Sequence, residues 1–210
     1  MKAPLGVILA GGQATRMGGG DKALLPLAGR PLLSQVTDRL GPQVADMALN
    51  ANGDPARFAA FGLPVLADPM AGFPGPLAGV LAGLDWAASE GADAIVTVAA
   101  DTPFFPCDLV PRLLHASEGQ THPLVLAATP RGAVPTKSMS RSGLIRHPTF
   151  GLWTVALRDA LRKALADGLK KVVIWTDRHG GSEALFEADP FDPFFNVNTP
   201  EDLAQAQTLT

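Results

Sequence analysis

The sequence predicts an α/β fold: one domain, 1–210, built on a mostly parallel sheet with helices on both faces. Three observations carry that expectation. Short apolar runs alternate with segments whose apolar residues recur every three or four positions. One run, Ala94-Ile95-Val96-Thr97-Val98-Ala99, is apolar on both faces, as suits a central parallel strand. A length of 210 residues, 47% hydrophobic and 18% charged, fits a buried sheet wrapped by helices.

The elements follow in order. Gly6-Val7-Ile8-Leu9 reads as a buried first strand. After a glycine-rich stretch, Pro26 and Gly29 predict an extended piece and a turn. The first helix is predicted over 31–40, where Leu32, Leu33, Val36 and Leu40 share a face and Gly41-Pro42 ends it. Strands are predicted at 44–49, running into Asn50, and at 64–67, ending at Asp68. Pro76 opens a helix bearing Leu77, Val80, Leu81 and Leu84. The strand at 94–99 leads to Ala100-Asp101-Thr102-Pro103, followed by a helix at 108–116 and a strand at 124–127. Thr154 can cap a helix with Leu157, Leu161 and Leu165 in register, closed by Gly168. The run 172–175, Val-Val-Ile-Trp, reads as another strand, and 200–207 as a closing helix. The stretch 129–150 reads as irregular and is long for a loop inside a domain.

Composition narrows the function classes. A formal net charge of −3 makes nucleic acid an unpromising partner. No apolar run approaches membrane-spanning length. The sequence opens directly on a strand with no apolar leader, so the expected location is the cytoplasm. The lone cysteine, Cys107, excludes an internal disulfide and a thiolate metal cluster. His115, His122, His147 and His179 lie far apart without metal-ligand spacing and read as surface or structural histidines.

The segment 9–22 is the richest in chemistry. Glycines at 11, 12, 18, 19 and 20 let a backbone pass close to a ligand with its amides turned inward. Arg16 and Lys22 add two positive charges, and the whole suits the phosphates of a nucleotide, whose ribose and base would lie against Leu9 and Ala10. Two common phosphate motifs fail. Lys22 is followed by Ala23 where a Walker A loop needs Ser or Thr. A dinucleotide fingerprint would open a helix directly, whereas this loop ends in a lysine and an extended piece.

Polar residues also stand at successive strand ends. Gly11 follows the first strand, Asn50 the second, Asp68 the third and Asp101 the central one. Ligands of open α/β sheets bind beyond the carboxyl ends of the strands, so these residues predict one crevice. Transfer of a phosphoryl or nucleotidyl group relies on positioning and on neutralising charge, commonly with Mg²⁺ held by one or two carboxylates plus phosphate and water. Asp101 offers such a carboxylate. Asn196 and Asn198 alternate with Phe195 and Val197 and face one side. They serve either a strand before the Thr199 cap or a ligand. The segment 72–79 reads equally as a loop under a bulky ligand or as a turn before the helix at Pro76. From 119 to 158 there is no acidic residue, while Arg131, Lys137, Arg141, Arg146 and Arg158 are basic. That stretch is either an attractive surface for an anionic acceptor or a solvated loop.

Leu-Ala-Gly-Gly-x-x-x-Arg-Met-Gly-x-x-x-Lys, here Leu9 to Lys22, resembles the signature of nucleotidyltransferases, and most closely that of the molybdenum cofactor guanylyltransferases. Asp101-Thr102-Pro103, Phe194-Phe195-Asn196-Val197-Asn198-Thr199-Pro200-Glu201-Asp202-Leu203, and Gly72 to Gly79 resemble that family too. Leu9-Ala10-Gly11-Gly12 favours the guanylyl over the cytidylyl branch, which reads Leu-Ala-Ala-Gly there. The resemblance implies a Rossmann-like sheet of the nucleotide-diphospho-sugar transferase type. It implies transfer of GMP from GTP to the phosphate of molybdenum–molybdopterin with Mg²⁺ as cofactor. Molybdenum-insertion proteins and apo-molybdoenzymes would be the protein partners. It assigns Arg16, Lys22 and Asp101 to catalysis, with Asp101 on the metal. It places Leu9, Ala10, Gly11, Gly12, Asn50 and Asp68 on the nucleotide, and Asn196 and Asn198 toward the acceptor, with Asn198 near the metal. The basic stretch ahead of His147-Pro148 is longer than the family's link. Two alternatives stand beside this reading: a cytidylyl or sugar-phosphate nucleotidyltransferase on the same fold and, from another class, a nucleotide-binding regulatory or chaperone module without turnover.

Overall fold

The computed structural model describes residues 2–11, 21–70, 75–130 and 143–209. In chain order these form β1 (Leu5–Leu9), a short hairpin of β2 (Pro26–Leu27) and β3 (Arg30–Pro31), α1 (Leu32–Leu40), β4 (Met47–Asn50), β5 (Val65–Leu66), α2 (Pro76–Ser89) and β6 (Ala94–Ala99). The chain continues through α3 (Leu109–Ala116), β7 (Leu124–Thr129), β8 (Ile145–Thr154), α4 (Arg158–Ala166), α5 (Val172–Arg178), β9 (Ser182–Leu185) and α6 (Pro200–Gln207). Seven strands make one sheet in the order β5-β4-β1-β6-β8-β7-β9.

β1 pairs in parallel with β4 on one side and β6 on the other. The chain builds outward from β1 through β4 to β5, then returns to place β6 on β1's opposite edge. That reversal of strand order opens a crevice at the carboxyl ends of β1 and β6. β8 is antiparallel to both β6 and β7, while β9 is parallel to β7. The sheet is therefore mostly parallel, with one reversed strand among those described.

Alternation along the strands sorts the core into two layers. Ile8, Val96 and Val98 face α1 and α3, meeting Leu33, Val36, Leu109 and Leu113. Val7 and Ile95 face α2, α4 and α5, meeting Val80, Leu84, Leu161 and Trp175. A third cluster, Leu27, Leu32, Phe104, Val197 and Ala206, joins the β2–β3 hairpin to α6.

Two expectations need correction, and one element was not foreseen. The run 172–175 is not a strand but the start of α5. Val172, Trp175 and Thr176 are its buried residues, a spacing of three and four that puts them on one helical face. Packing of the Trp175 ring 6.1 Å from Trp153 outweighs the local β preference of Val-Val-Ile. The second part of 129–150 is not irregular but belongs to β8. Its ladder jumps from Leu126↔Gly151 to Ala127↔His147, so Pro148 falls in a bulge where no ladder N–H is needed. β9 is a strand for which the sequence shows no clear alternation.

Inside the second core layer, the indole Nε1 of Trp153 donates to Thr97 Oγ1 at 2.9 Å, and both residues are buried. Thr97→Val keeps the shape and leaves that N–H unpaired. It should lower the unfolding free energy by about 1–3 kcal/mol, measured by urea titration.

Candidate active site

Lys22 begins a single 3₁₀ turn, Lys22–Leu24, just after the glycine-rich segment. Its ammonium lies 2.7 Å from Asp101 Oδ2 and also donates to Asn198 Oδ1. Three segments far apart in sequence thus converge on one cation. Asp101 lies two residues past β6, and the Thr102 hydroxyl sits 3.2 Å from its Oδ1 and within hydrogen-bond reach of Asn196 Oδ1, so its one proton is shared between the two acceptors. The Val197 amide bonds to the Asp101 carbonyl at 2.9 Å, which clamps the asparagine segment to the end of β6. The third core cluster sits beneath, with Leu27, Phe104 and Val197 each close in sequence to a site residue. Asn196 and Asn198 are exposed on either side of buried Val197, as their alternation predicts, although the segment is not a strand. Thr199 accepts from the Asp202 amide and Asp202 bonds back to Thr199, completing the cap of α6.

A second polar cluster stands at the ends of β4 and β5. Asn50 is 4% exposed and donates through Nδ2 to Leu66 O at 3.0 Å and Asp68 Oδ1 at 2.9 Å. Asn52 Nδ2 donates to Asp68 Oδ2 at 2.7 Å, and the Asp68 amide returns a bond to Asn52 Oδ1. α2 passes close beneath at Gly79. A Cβ there would overlap Asn50 Oδ1 and lie 2.8 Å from Leu9 Cδ2, so only glycine lets the helix approach. Leu9 is half-buried, Ala10 is buried and Gly11 is exposed at the mouth of β1. Gly12 and Arg16 lie outside the described residues, as do 72–74 and Arg131, Lys137 and Arg141.

The described contacts join Lys22 to Asp101 and Asn198, and Asn50 to Asp68. They show no bond between these two groups. Arg57, which the sequence reading did not single out, links them. Its Nε lies 3.0 Å from Asp21 Oδ2 and its Nη2 donates to Asn52 O at 2.5 Å. Thr102 is likewise a participant that sequence reasoning missed. The available signals were the adjacency of Asp21 to Lys22 and of Thr102 to Asp101.

On the far side of the crevice, Arg146 is not free to meet an acceptor. Its side chain is 11% exposed, 2.5 Å from Asp177 and 3.8 Å from Glu183, on α5 and β9. The absence of acidic residues along 119–158 hid these partners, which come from later in the chain. His147 stacks on Phe194 with ring centroids 4.2 Å apart, and its Nε2 lies 3.0 Å from Thr129 Oγ1. Among the described residues, no three His, Cys, Asp or Glu side chains gather into a metal site. No described helix is long and apolar enough to cross a membrane.

At the switch point of a mostly parallel sheet, then, a lysine faces a carboxylate and an amide oxygen. Residues 6–180 match the family described as the MobA-like NTP transferase domain. The chain is 53% identical over 206 residues to the molybdenum cofactor guanylyltransferase of Rhodopseudomonas palustris strain BisB5, covering 97% of this chain and 92% of that protein. It is 50% identical over 209 residues to that of Mesorhizobium japonicum, with coverages of 97% and 94%. The fold matches the crystal structure of molybdopterin-guanine dinucleotide biosynthesis protein A from Archaeoglobus fulgidus, with TM-score 0.68, 20% identity and coverages of 98% and 97%. It also matches 4-diphosphocytidyl-2C-methyl-D-erythritol synthase from Anaerococcus prevotii, with TM-score 0.73, 14% identity and coverages of 99% and 96%. The chain belongs to the MobA-like NTP transferase family and, within it, to the molybdenum cofactor guanylyltransferases.

Burial lowers the His147 imidazole from 6.5 to about 4, against a smaller upward pull from the Asp192 carboxylate. The folded protein keeps the ring neutral where the unfolded chain would protonate it. Stability from this residue is therefore full above pH 6.5 and is lost as pH falls toward 4. Thermal melts from pH 7 to 4.5 should show a steeper decline for the wild type than for His147→Gln.

Proposed function

We propose that this protein transfers GMP from GTP to the terminal phosphate of molybdenum–molybdopterin, giving the guanine dinucleotide and pyrophosphate. The Lys22–Asp101–Asn198 cluster at the carboxyl ends of β1 and β6 carries this reading, and the named relatives supply the nucleotide and acceptor. An oxygen of the acceptor phosphate attacks the α-phosphorus of GTP in line. The new P–O bond forms as the α–β bridging bond breaks, and the electron pair leaves on pyrophosphate. The acceptor oxygen is already largely ionised near neutral pH, so the chain need not supply a base. Lys22 meets the triphosphate as a charge-assisted donor. Arg16 is assigned to the same phosphates by the family signature.

Asp101 and Asn198 offer hard oxygen donors on either side of one cation, a donor set that fits Mg²⁺ completed by phosphate and water. When bound, the metal neutralises charge on the phosphates. Asp101 and Asn198 would hold it, while Thr102 orients Asp101.

The base lies against Leu9, Ala10 and the Asn50–Asp68 cluster. The Asp68 carboxylate matches the N1–H and N2–H₂ donors of guanine, whereas adenine presents an acceptor at N1 and no amine at C2. A site built for the first leaves polar groups unpaired with the second.

Asp101→Asn should abolish transfer and lower Tm only modestly, since the amide oxygen can still accept from Lys22. Lys22→Ala should slow transfer about 10²-fold or more and weaken GTP binding. Both are read by pyrophosphate release with GTP, acceptor and Mg²⁺; unchanged turnover in both would remove the cluster from the reaction. In competition, GTP should exceed ATP and CTP. Equal use of ATP would refute guanine selection, and preference for CTP would favour the cytidylyl branch.

A further inference from the structure

We propose that Arg57 is a positioning residue that holds the phosphate end and the base end of the nucleotide crevice in register. This inference rests on the nucleotide-transfer reading above.

Arg57 stands on a 3₁₀ segment, Pro55–Phe61, whose start is fixed by Asp54 accepting from the Ala56 amide at 2.9 Å. Its guanidinium carbon lies 4.9 Å from the ring centroid of buried Phe58, a contact that adds to its hold. From there it reaches in two directions. Nε meets Asp21 Oδ2 at 3.0 Å, and Nη2 meets the Asn52 carbonyl at 2.5 Å. Gly53 leaves the path open: it has φ +87°, and a Cβ there would stand 3.0 Å from Nη1.

Each partner controls one end of the site. Asp21 immediately precedes Lys22 and occupies the N-cap position of its turn. Aspartate commonly uses its carboxylate to cap such a turn, but here it makes no cap bond and turns toward Arg57. Asn52 holds Asp68 through two hydrogen bonds. One planar side chain with several fixed donors thus spaces the Lys22 turn from the Asn52–Asp68 cluster. The Arg57 and Asp21 side chains are 31% and 22% exposed, so they lie at the rim of the crevice rather than in the core. A pair so placed contributes little to global stability. Its effect falls on the spacing of groups that must grip one ligand at both ends, where small displacements are costly.

The test compares wild type, Arg57→Met, Arg57→Lys, Asp21→Asn and the Asp21→Asn/Arg57→Met double variant. GTP affinity with Mg²⁺, kcat, both KM values and Tm are measured for each. Arg57→Met should raise the KM and Kd for GTP about tenfold, with kcat within about twofold and acceptor KM unchanged. Arg57→Lys should restore part of the loss, since it keeps the charge toward Asp21. The double variant should be no worse than the poorer single one, the signature of coupled residues. A wild-type GTP KM in Arg57→Met overturns the inference. So does an equal rise in both KM values with a fall in Tm, which would mark a merely structural role. Failure of the wild-type chain to bind or consume GTP overturns the functional reading itself, whereas normal wild-type turnover with an unaffected Arg57→Met overturns this inference alone.

Discussion

β1 is hydrogen-bonded along both edges, to β4 from Gly6 to Leu9 and to β6 from Leu5 to Leu9. Parallel pairing points all three strands the same way, so their carboxyl ends emerge together. The ladder continues just past the strands, with Ala10 bonding to Asn50 O and Ala100 to Leu9 O. The segments carrying Lys22, Asn50 and Asp101 therefore start from a common, rigid line. Burial on both faces makes that line hard to shift, because sliding any strand by one residue would exchange its two core layers.

Charge at the site is arranged around that line. The Lys22 ammonium is largely withdrawn from water, which is costly for an unpaired cation. Asp101 and Asn198 satisfy it without enclosing it. That oxygen pair ties the Lys22 turn to the end of β6 and to the segment before α6. Arg146 shows the contrast: its charge is met by Asp177 and Glu183 and serves to tie β8 to α5 and β9.

Apolar contacts do as much to place the site as polar ones. Leu27, Leu32, Phe104, Val197 and Ala206 pack the hairpin, the segment after β6 and α6 into one small cluster. Lys22, Asp101 and Asn198 each lie within a few residues of it. At the other end, Gly79 lets α2 approach until Asn50 is buried and pinned to Asp68. The crevice is thus shaped by close packing below and by hydrogen bonds across its floor.

The features readable in the linear chain were those with local causes. The apolar runs of β1 and β6, the three-and-four spacing of α1, α2 and α4, the proline-led starts of α2 and α6, and the Thr199–Asp202 cap are each written within a few residues. Strand ends marked the places where Asn50, Asp68 and Asp101 would stand, because parallel strands share one carboxyl edge. Partners chosen across the fold were not readable. Val172 to Trp175 has the local preference of a strand and becomes a helix because Trp175 packs against Trp153. β8 carries Pro148 and becomes a strand because β6 and β7 offer it edges on both sides. Arg57 joins Asp21 to Asn52, and Arg146 finds Asp177, through contacts that only the packed chain creates. Periodicity and capping act over a turn or a strand and leave their mark in neighbouring residues. Ion pairs and edge pairing act through space, between residues whose separation along the chain carries no trace of their meeting.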